Sequence, residues 1–298
     1  MIAIVGAGPA GCLLALLLAR RGHPVELFER RPDPRVTAVE AGRSINLALA
    51  ARGKRVLAAA GVLDALTPHL VAMPGRQLHP AGGPESFSPY GQHPGEINHS
   101  IARTELTRQL LEHAGREPHI GMHFRQRCIG LDAAGAPLMQ DEDSGRQYPV
   151  AADRVLAADG AGSALRKALA AAGLVTASNA LLDHDYKELT IPPVAGRSAL
   201  AVREALHIWP RHGFMLIALP NADHSFTATL FMPRAGANSF DSLSAPGAAH
   251  AFFAREFPDA LALMPDFEPE FAAHRQGILG TVRCTPWNNG ERMLLIGD

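Results

Sequence analysis

Three glycines near the start of the chain stand at the spacing that dinucleotide-binding turns use. Gly6, Gly8 and Gly11 follow the apolar run of residues 1–5 and open the apolar stretch of residues 9–21, so the motif lies between a predicted strand and a predicted helix. Glycines at these points permit a tight turn and a close approach of the backbone to a pyrophosphate, which the helix N-terminus stabilises. The pattern predicts a dinucleotide site.

An acidic residue ends the next predicted strand, residues 25–29. The carboxylate of Glu29 is placed to accept hydrogen bonds from an adenosine ribose. A 2′-phosphate beside Glu29 would be repelled, although Arg30 and Arg31 would offset part of the repulsion, so the site favours FAD or NAD over NADP. The alternative interpretation is an ordinary glycine turn beside a surface acid.

Two later segments repeat the arrangement of a strand followed by a glycine. Asp159 and Gly160 follow the predicted strand 154–157, and Gly297 and Asp298 end the chain after another apolar run. Each pair alone is more often a simple turn. In this order after the glycine motif, they resemble the three flavin-binding motifs of the single-component flavoprotein hydroxylases.

The composition is that of a soluble globular protein with a small-molecule partner. Hydrophobic residues make up 47% of 298 residues, and 28 Lys and Arg nearly balance 29 Asp and Glu, so no net field favours nucleic acid. The three cysteines and 14 histidines show no metal-ligand spacing, which predicts no metal site and a reducing compartment. The apolar run 12–19 is too short to span a bilayer, so we expect a cytoplasmic protein without a membrane segment.

The elements that must position these residues change in type along the chain. The first half alternates strands with helices, whereas residues 186–233 form a series of strands separated by turn residues. Helical patterns cover residues 9–21, 45–60, 103–116, 164–172 and 248–257; strands are expected within 123–131, 147–157, 277–282 and 292–296; and residues 68–95 are irregular. The fold class is α/β with a second, sheet-rich domain.

Four longer strings resemble one family, kynurenine 3-monooxygenase. They are residues 40–49, 188–193, 206–211 and 226–233, and they occur in the family's order. The resemblance implies a Rossmann-like FAD-binding domain of the para-hydroxybenzoate hydroxylase type, interleaved with a β-sheet-rich substrate domain. The implied FAD-binding segments are 1–70, 98–175 and 277–298, and the implied substrate segments are 71–97 and 176–276.

The same resemblance implies roles for further residues. Arg76 and Tyr90 correspond to the pair that binds the substrate's carboxylate, a role suited to a guanidinium and a phenol. The aromatic pocket is implied to be lined by Leu206, Ile217, Leu219 and Phe231, and additional flavin contacts are implied at Ala48, Arg103 and Cys128.

The family's reaction is a hydroxylation in which the cofactor carries out the difficult step. NADPH reduces FAD, O2 adds to form a flavin hydroperoxide, and L-kynurenine is hydroxylated to 3-hydroxykynurenine, so no catalytic acid or base of the protein is assigned. The family continues past its Gly-Asp motif into segments at the flavin ring, whereas this sequence ends at Asp298. The alternatives are a related flavin hydroxylase of another aromatic amino or indole acid, and an inactive FAD-binding fragment.

Overall fold

A computed structural model of the chain describes residues 1–37, 45–93 and 95–297. Asp298 and the first part of the string 40–49 lie outside the described residues. The helices are α1 (Pro9–Ala19), α2 (Ala51–Ala59), α3 (Leu63–Leu66), α4 (Arg103–Arg116), α5 (Ala164–Ala171), α6 (Ala248–Glu256), α7 (Pro258–Leu261) and α8 (Phe267–Ala273), with short 3-10 turns at Thr67–His69 and Asp241–Leu243.

The strands are β1 (Ile2–Val5), β2 (Val25–Phe28), β3 (Asn46–Leu49), β4 (Val71–Met73), β5 (Gly75–Leu78), β6 (Ser86–Pro89), β7 (Asn98–Ala102), β8 (Ile120–His123), β9 (Gln126–Leu131), β10 (Pro137–Asp141), β11 (Gln147–Pro149), β12 (Arg154–Ala157), β13 (Thr176–Ile191), β14 (Leu206–Arg211), β15 (Phe214–Pro220), β16 (Phe226–Pro233), β17 (Gly277–Thr285), β18 (Asn288–Asn289) and β19 (Met293–Leu295).

A six-stranded sheet in the order β18-β19-β12-β1-β2-β8 carries the predicted dinucleotide turn. Its strands pair in parallel, apart from the short β18 at the edge. Helices α1 and α4 pack together beside it, and the buried side chains of α4 recur at Leu106, Leu110 and Ala114, the spacing of one helix face. The βαβ start therefore folds as its hydrophobic pattern predicts.

A seven-stranded sheet in the order β17-β13-β16-β15-β14-β5-β6 forms the second large layer. Its strands pair antiparallel except β14 with β5, which are parallel. Helices α6, α7 and α8 cover one side of this sheet, where Trp209, Phe226, Phe253 and Phe257 are fully buried. We call this side the covered face and the other side the open face.

Two three-stranded sheets complete the fold, in the orders β3-β7-β4 and β11-β10-β9. The first joins the two large layers. Ile101 of β7 is buried in the core beside the six-stranded sheet, and the Asn46 side chain donates to Asn221 Oδ1 at 2.6 Å and accepts from Thr227 Oγ1 at 3.2 Å. Asn46 belongs to β3, whereas Asn221 and Thr227 lie at the end of β15 and in β16.

The structure differs from the sequence prediction in three segments. The predicted helix 45–60 begins as strand β3, because residues 46–49 pair with β7. The predicted irregular stretch 68–95 contains three strands: β4 pairs with β7 and β5 with β14, both outside the stretch, and β6 pairs with β5. Finally, β17 pairs with β13, so Gly277–Thr285 belongs to the seven-stranded sheet, whereas the sequence placed 277–298 with the flavin segments.

Candidate functional site

The glycine turn after β1 is packed too closely for other residues at two of its positions. Gly6 has φ +102°, and a methyl group there would overlap the Ala158 carbonyl oxygen. A methyl group on Gly11 would overlap the Gly6 carbonyl oxygen. The turn, helix α1 and the end of β12 therefore meet in backbone contact.

Gly8 differs from Gly6 and Gly11, because neither backbone strain nor crowding explains why a glycine occupies this position. Its φ is −70°, a value open to any residue, and apart from Gly8 and its two chain neighbours no described residue has an atom within 4 Å of the place where a Cβ would stand. Gly8 is also the N-cap of α1, which has no side-chain cap. This leaves a cradle at the N-terminus of α1 that a Cβ would fill, as the pyrophosphate of a dinucleotide requires.

The carboxylate of Glu29 is buried beside this turn. Oε2 accepts a hydrogen bond from the Ala7 amide at 2.9 Å, and Oε1 accepts from the Arg31 amide at 3.0 Å and from Arg31 Nε at 2.8 Å. Burial by itself would raise the pKa of Glu29, but the hydrogen bonds and charge of Arg31 outweigh it, so the pKa lies below its ordinary value of 4.5. Arg30 and Arg31 are both exposed, but Arg31 is the arginine whose side chain forms an ion pair with Glu29 and holds it ionised.

Asp159 has one carboxylate oxygen with a partner and one without. Oδ2 accepts from the Ala164 amide at the start of α5 at 2.8 Å, whereas Oδ1 is buried and has no hydrogen-bond partner in the part of the chain that the structure describes. Asp159, Gly160 and Gly297 help to line a cavity of about 220 Å³. A buried acceptor without a donor is costly, so this oxygen is suited to a ligand hydroxyl or water.

The predicted flavin segments meet at one edge of the six-stranded sheet. Strands β1, β12 and β19 run side by side in parallel, so their carboxyl ends coincide. A Cβ on Gly297 would lie 3.3 Å from the Ala10 side chain at the start of α1. Cys128 is half-buried nearby: burial raises the pKa of its thiol to about 11, and the charge of Asp159 adds to the effect.

Of the remaining predicted flavin contacts, Ala48 lies on the small sheet that links the two layers, and Arg103 begins helix α4 directly after strand β7 of that sheet. Ala48 pairs with Ser100, and the Arg103 amide donates to the Ile45 carbonyl at 3.1 Å. Both residues are exposed. The positive charge of Arg103 acts on Tyr186 of β13, which places Arg103 near the open face.

The predicted substrate residues come together on the open face. Cross-strand pairing puts Leu206 beside Arg76, and Phe231 beside Met215, two residues before Ile217 on the same strand. Alternation along β15 then places Ile217 and Leu219 on this face, while their neighbours Leu216 and Ala218 are fully buried on the covered face.

Arg76 and Tyr90 are in direct contact. The guanidinium carbon of Arg76 lies 4.5 Å from the centroid of the Tyr90 ring. Arg76 is exposed and Tyr90 is half-buried, so the pair is accessible to a ligand. A guanidinium held over a ring keeps its N–H groups free to bind a carboxylate.

Sequence reasoning did not identify Asn46, Asn221 or Thr227, which connect the small sheet to the open face. It also gave no role to Tyr186 and Glu188, although both lie in or beside a string that it singled out. Their spacing of two on a strand was the available signal, since Tyr186 pairs with Phe231 and Glu188 with Thr229.

Two further features bear on the class of site. Within the described ranges, no group of three or more His, Cys, Asp or Glu side chains is placed to hold a metal ion. Among the same residues, no helix combines the length and the apolar character that crossing a bilayer requires.

Comparison with known proteins agrees with a dinucleotide-binding site at the glycine turn. The family model described as "FAD binding domain" matches residues 1–298. Kynurenine 3-monooxygenase of Stenotrophomonas maltophilia (strain K279a) is 44% identical over 300 residues, covering 100% of this chain and 65% of the relative. The enzyme of the same name from Xanthomonas campestris pv. campestris (strain 8004) gives the same identity and coverage. The chain therefore spans 65% of the length of these curated relatives.

Solved structures share the fold at low sequence identity. The tetrameric form of 2-methyl-3-hydroxypyridine-5-carboxylic acid oxygenase matches with a TM-score of 0.77 and 19% identity, over 100% of this chain and 74% of that one. PqsL, a probable FAD-dependent monooxygenase from Pseudomonas aeruginosa, matches with a TM-score of 0.72 and 18% identity, over 99% and 77%.

Proposed function

This chain belongs to the FAD binding domain family, and from that premise we propose that it serves the hydroxylation of L-kynurenine to 3-hydroxykynurenine with NADPH and O2. The observation that carries the proposal is the open face, where Arg76, next to Tyr90, and the apolar residues Leu206, Ile217 and Phe231 converge from separate strands. An acid-binding group beside an apolar surface suits an aromatic amino acid.

The residues present fit FAD. The pyrophosphate would be held at the cradle of Gly8 and the N-terminus of α1, and the ionised Glu29 would accept from the adenosine ribose. Asp159 Oδ1, which accepts no hydrogen bond from the described residues, would accept one from a hydroxyl of the cofactor. When bound, FAD would supply the chemistry of accepting reducing equivalents from NADPH and activating O2.

The protein's own residues would then bind and orient the substrate. Arg76 would grip the carboxylate with two N–H groups while the Tyr90 hydroxyl donates a further hydrogen bond. Leu206, Ile217 and Phe231 would hold the aryl ring against an apolar surface and exclude water from it. Leu219 continues this surface towards the small sheet that carries Ala48 and towards Arg103 at the start of α4.

The division into two interleaved domains is part of the proposal. The FAD-binding part would comprise residues 1–70, 98–175 and the last strands, and the substrate part residues 71–97 and 176–276. The pairing of β17 with β13 favours extending the substrate part to Thr285. We also propose a cytoplasmic location, which the three unpaired cysteines support.

Turnover in the presence of candidate substrates tests the proposal. The FAD-loaded chain should oxidise NADPH faster when L-kynurenine is added, and 3-hydroxykynurenine should be detected by chromatography. Faster oxidation without a hydroxylated product would mean that kynurenine binds but is not hydroxylated. No response to kynurenine, together with hydroxylation of another aromatic amino or indole acid, would contradict the proposed substrate.

A further inference from the structure

The open face carries two charged side chains at opposite ends. From β13 to β5 its residues are mostly apolar or hydroxylic, and the exceptions among the described residues of this block are Glu188 and His184 on β13 and Arg76 on β5. The His184 ring contacts the Gly213 carbonyl at 2.8 Å, at the far end of the pairing with β16. Strands β16, β15 and β14 lie between Glu188 and Arg76. At about 4.8 Å per strand step, the two backbones are about 19 Å apart.

Cross-strand register places Glu188 directly in line with the proposed aryl pocket. Glu188 pairs with Thr229, Thr229 with Ile217, and Ile217 with Ile208. Side chains paired in this way lie on the same face, because residues alternate between faces along each strand. A ring held over Ile217 therefore has Glu188 as the nearest acid on this face.

The Glu188 carboxyl is available to a ligand. Its backbone carbonyl accepts from His274 Nδ1 at 2.9 Å, but no residue within the described ranges donates a hydrogen bond to its side chain. The group is half-buried, and burial raises the pKa of this carboxyl, an effect that His274 reduces. A desolvated acceptor without a donor gains more from an incoming N–H than an exposed one does.

Arg76 and Glu188, at the two ends of the open face, would bind different parts of one ligand. Arg76 takes a carboxylate, and the α-amino group of an amino acid stays within two bonds of that carboxylate. A hydrogen-bond donor that reaches Glu188 must therefore be attached to the aromatic ring.

We infer that Glu188 is a specificity-determining residue whose carboxylate accepts a hydrogen bond from an amino group on the substrate's aromatic ring. This inference rests on the proposed function and deepens it: the substrate class becomes aminoaryl amino acids.

Paired ligands test the inference on the FAD-loaded chain. Isothermal titration calorimetry would compare L-kynurenine with its analogue 2-amino-4-oxo-4-phenylbutanoate, which lacks the ring amino group. Glu188→Leu should weaken kynurenine binding about tenfold or more, as for a lost hydrogen bond to a charged group, and leave the analogue within about twofold. Glu188→Gln should show a smaller loss with the same selectivity, because its amide oxygen still accepts, and it preserves the shape if the leucine variant does not fold.

Two further variants make the outcomes distinguishable. Glu268→Leu removes an exposed glutamate from α8, on the covered side, and should change neither dissociation constant. Arg76→Ala should weaken both ligands, since both carry the carboxylate. If Arg76→Ala weakens both ligands while the Glu188 variants affect neither, or affect both equally, the inference is overturned and the proposed function stands. If Arg76→Ala also changes neither, the proposed substrate site itself is contradicted.

Discussion

The two candidate binding regions of this molecule are built in opposite ways. At the glycine turn, the ligand-facing groups are backbone atoms and short side chains at the ends of β1 and β12, and Gly6 and Gly11 are in contact with neighbouring backbone. On the open face, the ligand-facing groups are side chains such as Arg76, Ile217 and Phe231, brought from separate strands by register.

This difference predicts where a substitution can change ligand binding without changing the stability of the fold. At Gly6 and Gly11 the backbone that closes the turn also borders the cradle, so a substitution there affects both stability and binding, whereas Gly8 faces open space. On the seven-stranded sheet, the residues that hold the fold lie on the covered face and those that face a ligand lie on the open face. Substitutions on the open face should therefore alter binding with little effect on stability.

The largest effect is expected on the covered face. Trp209→Ala should lower the free energy of unfolding by about 3–5 kcal/mol, because Trp209 is fully buried and its indole N–H donates to Asp259 Oδ2 at 2.6 Å. Urea unfolding followed by circular dichroism measures the loss. Ile208→Ala changes the adjacent, half-buried residue on the open face and should cost less than half as much. Equal losses would mean that both faces are packed as core.

The glycine turn should separate into a structural and a binding glycine. Gly6→Ala should destabilise the chain by about 2–4 kcal/mol, since it combines a strained φ with overlap of the Ala158 carbonyl. Gly8→Ala should change stability by less than about 0.5 kcal/mol, because the position is open and unstrained, but should weaken FAD binding. Urea unfolding without FAD and fluorescence titration with FAD measure the two effects. Unchanged FAD affinity in Gly8→Ala would contradict the cradle.

The sequence predicts the features that depend on local patterns, and it does not predict those that depend on pairing between distant strands. The helices at 9–21, 103–116 and 164–172 agree with α1, α4 and α5, because their hydrophobic patterns are local. The glycine turn is likewise a local motif. Residues 46–49 were predicted as helix and form β3, since their partner β7 lies about fifty residues away and only the folded chain brings it near.

The open face could be predicted only through the family resemblance. Arg76, Leu206 and Phe231 share a face because β5, β14 and β16 belong to one sheet, an order that periodicity alone does not reveal. Glu188 was overlooked for the same reason, since it meets the other residues only through Thr229 and Ile217. The roles of these residues stay predictions until binding is measured.

Arg76→Ala tests whether the open face is separable from the fold. Kynurenine binding should weaken by about 1.5–3 kcal/mol, the value of a lost charged hydrogen bond, while the free energy of unfolding shifts by less than about 0.5 kcal/mol because Arg76 is exposed. Calorimetry and urea unfolding provide the two values. Arg116→Ala, which removes an exposed arginine from the end of α4, should change neither. An unchanged dissociation constant in Arg76→Ala would remove that residue from the site.

The smallest expected effect is a difference in the sign of pH dependence between the two regions. The pKa of Glu29 lies below 4.5 in the folded chain, so this carboxylate stabilises the fold above that pH, and its contribution is lost as the pH falls through the folded pKa. Burial raises the pKa of Glu188 above 4.5, so its contribution is present below that pH and is lost as the pH rises through the folded pKa. Urea unfolding between pH 3 and pH 8 should therefore show Glu29→Gln becoming less stable relative to the parent as the pH rises, and Glu188→Gln becoming more stable. If the stability of both variants relative to the parent changed with pH in the same direction, the environments of Glu29 and Glu188 would not differ in the way proposed.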